Sequence, residues 1–454
     1  MEALNRARLE TLTSAERSRY ADRHPKSRAL FERSDHLLSG VPMTWMSRWA
    51  GGFPLGFATA RGATVTDLDG HDLADFALGD TGAMAGHSPP ALVEALAERA
   101  GRLGGVTTML PSEDAEWVGA ELARRFGLAR WSFTLSATDA NRWLLRLVRL
   151  VTGRPRVLVF SYSYHGSVDE SLVVLDQNGR AVSRPGNVAP AVDPTTTTRV
   201  VEFNDLAALE AALAHRDVSA VLAEPAMTNI GIVLPEPGFL EGVRALCDAT
   251  GTLLILDETH TISAGPGGMT GRYALRPDAL TIGKSLGGGV PCGAYGLTEE
   301  LADRVGAAVA AGADLVDVGG VGGTLAGNAL SLAAMRAVLD RVLTDDAFAP
   351  MEALATRFAA GVARGVERHA LAWSVVQLGA RCEYRFASPA PTSGGASARS
   401  SDPLLEEYLH LYAVNRGVLL TPFHNMALTC PATTEAQVDH HSELFADALA
   451  ALRA

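Results

Sequence analysis

The pattern of apolar and polar positions changes character three times along this chain of 454 residues. Up to about Ser39, Leu, Tyr and Phe recur loosely among polar residues, which is compatible with helix. A Gly-, Pro- and Trp-rich connection follows. From Ala63 to Phe76, ATVTDLDGHDLADF alternates apolar and polar residues around a D-G turn, the mark of a β-hairpin. A helix is predicted from about Pro90 to Leu103. Between about Trp131 and Leu330, short apolar runs alternate with helical periodicity. The runs are Trp131 to Leu135, Arg156 to Phe160, RVVEF near Val200, VSAVLAEP near Leu222 and TLLILDETHT from Thr252 to Thr261. That alternation predicts an α/β domain with a mostly parallel sheet flanked by helices.

After about Asp345 a smaller α+β domain is predicted. It has a helix from about Pro350 to Ala370, strands near Trp373 and from Glu383 to Phe386, and a last helix from Glu435 to Leu452. Within it, SPAPTSGGASARSSDP reads as an exposed, mobile loop. The predicted division is an N-terminal segment, 1–62, joining the small domain; a large domain, 63–335; and a C-terminal small domain, 336–454.

With 47% hydrophobic and 20% charged residues, the balance is that of a globular protein. A formal net charge of -12 argues against nucleic acid and anionic membranes as partners. Cys247, Cys292, Cys382 and Cys430 lie far apart and form no CxxC pair, so a reducing compartment and no metal site are expected. The first twenty residues are charged and lack the apolar core of a signal peptide. No apolar run approaches the ~18 residues of a membrane span. A cytoplasmic protein is expected.

Candidate chemistry sits at strand ends. In TLLILDETHT the apolar run stops at Asp257 and Glu258, and in DALTIGKSLGGG Lys284 stands between a short strand and a glycine run. Open α/β sheets bind ligands at the carboxyl ends of their strands, so an acid and a lysine there suggest one pocket. A desolvated lysine can form a Schiff base, although lysine before glycines also fits a surface turn or a phosphate loop. Asp257 would suit a cofactor ring nitrogen that must stay protonated; it would equally suit a cation, a sugar or a helix cap. Ser136, Ala137 and Thr138 lie at a strand-to-helix junction that favours an anion or forms an ordinary N-cap. Tyr164, in SYSYHG, could lie over a flat ring or belong to the core.

Taken in order, DLDGHDLADF, GHSPP, SATDAN, SYSYHG, EPAMTNIGIVLPEPGFLEG, LILDE, TIGKSLGGGVPCGAYG and GGTLAGN resemble the fold-type I, class III pyridoxal-phosphate aminotransferases. The resemblance is nearest the glutamate-1-semialdehyde aminomutase and β-amino-acid aminotransferase branch, and it spans about Gly62 to Leu452. It implies that Lys284 holds pyridoxal 5'-phosphate as an aldimine and moves the substrate proton, while Asp257 pairs with the ring nitrogen. Ser136, Ala137 and Thr138 would bind the phosphate, and Tyr164 and His165 would meet the ring. Glu224, Asn229 and Thr259 would line the pocket. Thr324 would reach the phosphate of a neighbouring subunit, which implies a homodimer with shared sites.

The chain departs from that pattern in several places. SATDAN stands for SGTEAN, and DETHT for DEV, so Thr259 replaces a valine and His260 follows as either a pocket group or, the preferred reading, a hydrogen-bonded core histidine. Arginines expected for a substrate carboxylate are missing near Met43 or Thr44 and near Phe423 or His424. Trp45, Arg48 and His424 are the candidate substrate contacts, with Arg385 as a further cation. The expected function is therefore amino transfer from an amine or amino acid to a keto or aldehyde acceptor; the alternative is an intramolecular aminomutase of the glutamate-1-semialdehyde type. A nicotinamide dehydrogenase would need G-x-G-x-x-G after the first strand, which is absent. Retention of Lys284 with Asp257 argues against a non-catalytic binding protein on the same fold.

Overall fold

A computed structural model describes residues 5–315 and 318–453. The predicted limits at residues 1 and 454, and residues 316–317 of the predicted large domain, lie outside the described residues. The chain divides into two compact units. One contains residues 1–89, 346–390 and 400–454; the other contains 90–345 and 391–399.

The second unit is built on a seven-stranded sheet. Its spatial order is Arg130–Thr134, Gly293–Leu297, Ala279–Ile282, Leu253–Asp257, Val218–Ala223, Arg156–Phe160 and Thr198–Val201. Neighbours pair in parallel except at Gly293–Leu297, which runs antiparallel to both flanking strands. This is the mostly parallel α/β sheet that the pattern predicts. Val218–Ala223 and Leu253–Asp257 are buried at every position, because helices cover both faces.

Alternate residues serve the two faces. Val157, Leu222 and Ile255 pack with Leu144, Leu145 and Val148 of the helix Ala137–Thr152. Leu158, Val221 and Leu256 pack with Leu209, Phe239 and Val243 of the helices Leu206–Leu213 and Phe239–Thr250. Each such side chain contributes about 1.5–3 kcal/mol when fully buried. Asp257 and Lys284 stand at the ends of two adjacent strands of this sheet.

The first unit has its own core, in which Phe358, Tyr384, Tyr408 and Phe445 gather. The hairpin Thr64–Asp67 and Asp72–Asp75 forms as predicted, and is flanked by Phe57–Arg61 on one side and by Val418–Leu419 on the other. That last pairing explains why the boundary falls after Pro89 rather than at residue 62: the hairpin is tied to the C-terminal part of the chain. The helix Arg6–Arg23 packs in the same unit, where Glu16 accepts from Arg416 at 2.8 and 3.0 Å and from Asn415 at 2.8 Å.

The loop predicted as exposed and mobile is partly buried and helical in its middle part. Residues 391–399 belong to the sheet unit and form the short helix Gly394–Arg399. A Cβ on Gly394 would lie 2.0 Å from the Ser161 carbonyl oxygen, and Ser397 donates to the Ile230 carbonyl. Low side-chain volume, which reads as disorder in sequence, here permits close backbone approach.

Candidate functional site

The site begins at Asp257, the last residue of its strand. In register it faces Thr281 of the neighbouring strand. The Thr281 hydroxyl donates to Asn141 Oδ1 at 2.9 Å, and Asn141 Nδ2 donates to Asp257 Oδ2 at 2.9 Å. His165 Nδ1 donates to the same oxygen at 3.0 Å, and the Thr259 backbone N–H to Oδ1 at 3.1 Å. Burial alone would push this carboxyl up. The hydrogen bond and charge of His165, with the Thr259 and Asn141 contacts, outweigh it and bring the carboxyl down to about 2. Asp257 is thus a buried anion held in one orientation.

Its neighbour Glu258 is handled in the opposite way. It accepts from Met269 N at 3.1 Å, and from Thr270 N and Oγ1 at 2.6 Å each, with a further bond from Thr261. Burial dominates and raises its pKa. This carboxyl is a structural anchor for the segment after the strand.

The helix Ala137–Thr152 starts beside this group. Ser136 is its N-cap: its Oγ accepts from Asp139 N at 3.2 Å and donates to Asp139 Oδ2 at 3.1 Å. The first turn is pressed by glycines on three sides. A Cβ at Gly166, which has φ +83°, would lie 2.0 Å from Thr138 Oγ1. One at Gly283 would lie 2.8 Å from Ala137 N, and one at Gly293 would lie 2.6 Å from Ser136 C. Ala137 is accommodated because Gly283 opposite it has no side chain. The result is a helix N-terminus whose unpaired N–H groups and dipole suit a phosphate.

Lys284 follows Gly283 and adopts φ +46°, a left-handed conformation that non-glycine residues rarely take. Its half-buried Nζ lies 2.8 Å from His260 Nε2. The core-histidine reading of His260 is therefore corrected: the ring is half-buried and meets the lysine.

Glu224 is buried beyond the end of Val218–Ala223. It accepts from Thr228, and burial pushes it up to about 7. Glu224 Oε1, Thr259 Oγ1 and His165 Nε2 are buried and have no hydrogen-bond partner among the described residues. Together with the anion-ready helix end, a fixed carboxylate and a lysine, these orphaned atoms fit pyridoxal phosphate. Asn229 is half-buried beyond the same strand as Glu224, while Thr324 and Tyr164 are exposed, Tyr164 by 39%.

Two residues absent from the sequence-based site stand out. Asn141 was legible in principle, since it lies one helical turn after Ala137 on the same side. Arg184 was not, because no motif marks it. It follows the short strand Ala181–Ser183 and donates to the Ser163 carbonyl at 3.0 Å. Burial lowers its pKa, and the nearby Tyr162, Tyr164 and Glu224 partly offset this.

The candidate substrate residues belong to the other unit. There, Trp45 meets Phe423 edge-on at 5.2 Å, Phe423 adjoins His424, and His424 Nδ1 lies 3.4 Å from Glu383 Oε1. Arg48 is exposed, and Arg385 is buried against the hydroxyls of Ser400 and Ser401. That unit also gathers His24, Asp67 and His71. Asp67 accepts from the backbone of Asp69 and His71 and from the His71 ring, which orders the hairpin turn.

The family model for Aminotransferase class-III matches residues 45–449. The glutamate-1-semialdehyde 2,1-aminomutase of Sorangium cellulosum is 34% identical over 97% of this chain and 99% of its own length. A solved glutamate-1-semialdehyde-aminomutase from Pseudomonas aeruginosa PAO1 is 51% identical, covers 99% of this chain and 100% of its own, and superimposes with a TM-score of 0.96. A lysine-to-alanine variant of that protein was solved in complex with PMP. An omega-transaminase from Sphaerobacter thermophilus is 26% identical over 94% of this chain and 98% of its own, with a TM-score of 0.83.

Proposed function

Because the chain belongs to the class III aminotransferase family, we propose that it is a pyridoxal-phosphate enzyme that moves an amino group between neighbouring carbons of one substrate. Its model substrate is glutamate-1-semialdehyde, as in the names of its aminomutase relatives. The observation that carries the reading is the pairing of Lys284 with the fixed anion Asp257 on adjacent strands. The aminomutase relatives favour this over the transfer between separate molecules that the sequence led us to expect.

When bound, pyridoxal phosphate supplies a carbonyl carbon for amines and a ring that takes up electron density. Asp257 would hold it at the ring nitrogen and keep that nitrogen protonated; His165 and Asn141 act through Asp257 by fixing its orientation. The first turn of Ala137–Thr152 would hold the phosphate. Lys284 takes the proton from the substrate carbon that bears nitrogen and returns it at the neighbouring position. Net, nitrogen moves from C2 to C1 and carbonyl oxygen from C1 to C2, with no outside oxidant. Arg184, beside Tyr164 and Glu224, is our candidate partner for a substrate carboxylate.

A homodimer is part of the reading. On the sheet unit Met109, Leu110 and Leu325 are exposed, and Val106 bonds to Leu330, which brings these two apolar stretches together. A second copy covering them would bury that surface.

A second reading, transamination of an amine without a nearby carboxylate, is favoured by the absence of arginine at Met43, Thr44, Phe423 and His424. Glutamate-1-semialdehyde given alone to the loaded enzyme separates the two. Appearance of 5-amino-4-oxopentanoate by NMR supports the mutase; amino exchange only when a separate amine and keto acid are supplied supports the transaminase.

A further inference from the structure

We propose that His260 is the proton partner of Lys284. The inference rests on Lys284 being the cofactor lysine and adds a second residue to its chemistry. A lysine amine is nucleophilic, and able to take a proton from carbon, only when it is neutral. In ordinary surroundings it is protonated at neutral pH and is then a donor only. Some group must take that proton and return it.

The geometry places an imidazole at contact distance: His260 Nε2 lies 2.8 Å from Nζ. Imidazole suits the task, since its ordinary pKa lies near neutrality and its nitrogen can accept or donate. The step is balanced within the pair. An N–H bond on the Nζ ammonium breaks, an N–H bond forms at Nε2, and the freed lone pair remains on Nζ. Reversal restores the ammonium only after Nζ has given up the carbon-derived proton, or its bond to carbon, and is again a neutral amine.

Both partners are held by backbone. His260 follows Asp257 and Glu258, whose carboxylates are each fixed by several bonds, and it directly precedes the short 3-10 helix Thr261–Ala264. Lys284 is held at φ +46°, directly after Gly283, which is pressed onto Ala137. A left-handed non-glycine residue persists only where its surroundings fix it. The side chain that must be aimed is therefore the one with the costly backbone.

The test uses apoprotein and pyridoxal phosphate, reading the rate at which the lysine-dependent visible band grows near neutral pH. His260→Gln keeps an amide acceptor for the lysine but cannot take a proton; His260→Ala removes both functions. We expect each variant to slow band growth by roughly a hundredfold, at the low end of what a lost acid–base group costs. Added imidazole should restore part of the rate to His260→Ala, and labelling of Lys284 by an amine-reactive reagent in the apoprotein should slow in parallel. A His260→Gln rate equal to wild type, with His260→Ala slow, would reduce His260 to a holder of the side chain and overturn the proposal. Wild-type rates in both variants would overturn it as well. If the wild-type protein grows no band at all, the failure lies with the cofactor reading rather than with His260.

Discussion

The two units carry their candidate residues in different ways. In the sheet unit Asp257 ends a strand and His165, Glu224 and Lys284 follow strands, and their positions are set by register, by glycines and by a capped helix. In the other unit Trp45 lies in a short 3-10 turn, Arg48 directly follows it, and His424 lies between short strands; their contacts are with one another's neighbours. Under the proposed function, the residues fixed by the sheet would perform the step common to the family. Residues on connections can change without disturbing that sheet, and under the same reading they would select substrates.

Breaking the first side of this comparison should have the largest effect. Asp257→Asn keeps the shape but removes the anion, and should lower turnover by roughly a hundredfold or more while leaving the protein folded. Single-turnover kinetics with circular dichroism checks this. Glu258→Ala should act the other way round. It strips an acceptor from buried donors of Met269 and Thr270, and should cost about 3 kcal/mol in denaturant unfolding. A marginal loss there would mean that the two adjacent carboxyls are not divided between chemistry and structure.

Glu224 sharpens the same contrast through pH. Its carboxyl is pushed up to about 7 by burial, so the folded apoprotein binds a proton that the unfolded chain has already released above its ordinary carboxylate range. Stability from this group is present below about 4.5 and falls as pH rises toward 7. Urea midpoints of wild type and Glu224→Gln at pH 5 and 7 should show the wild type losing ground to the variant at the higher pH. The smallest effects belong to the other unit. Arg48→Ala and His424→Ala should change KM several-fold and kcat less, whereas Arg184→Ala should raise KM more, if a carboxylate is bound in the sheet unit. Steady-state kinetics on the same substrate ranks the three.

Much of the sheet unit was legible because its signals are local. Buried strands show as apolar runs, and Asp257 and Lys284 interrupt them in a way that a core residue would not. The helix Phe239–Thr250 buries Phe239, Val243 and Cys247, four positions apart in the sequence. His260 was misjudged because nothing in DETHT reveals that Lys284, 24 positions on, comes back to it across a parallel pair of strands. Arg184 escaped for a similar reason, since its surroundings are assembled from three separate segments. The serine- and glycine-rich stretch misled in the opposite direction. Small residues mark both a loose loop and a tight packing contact, and only the neighbour, here the Ser161 carbonyl over Gly394, tells them apart.

The central claim is that Lys284 is the residue through which a pyridoxal cofactor is held and used. The most direct measurement is the visible absorption spectrum of purified wild type and Lys284→Ala after saturation with pyridoxal phosphate and gel filtration. The account predicts a lysine-dependent band that stays with the wild-type protein and is absent from the variant. An identical retained band in Lys284→Ala, or a wild-type protein that emerges colourless, would contradict it.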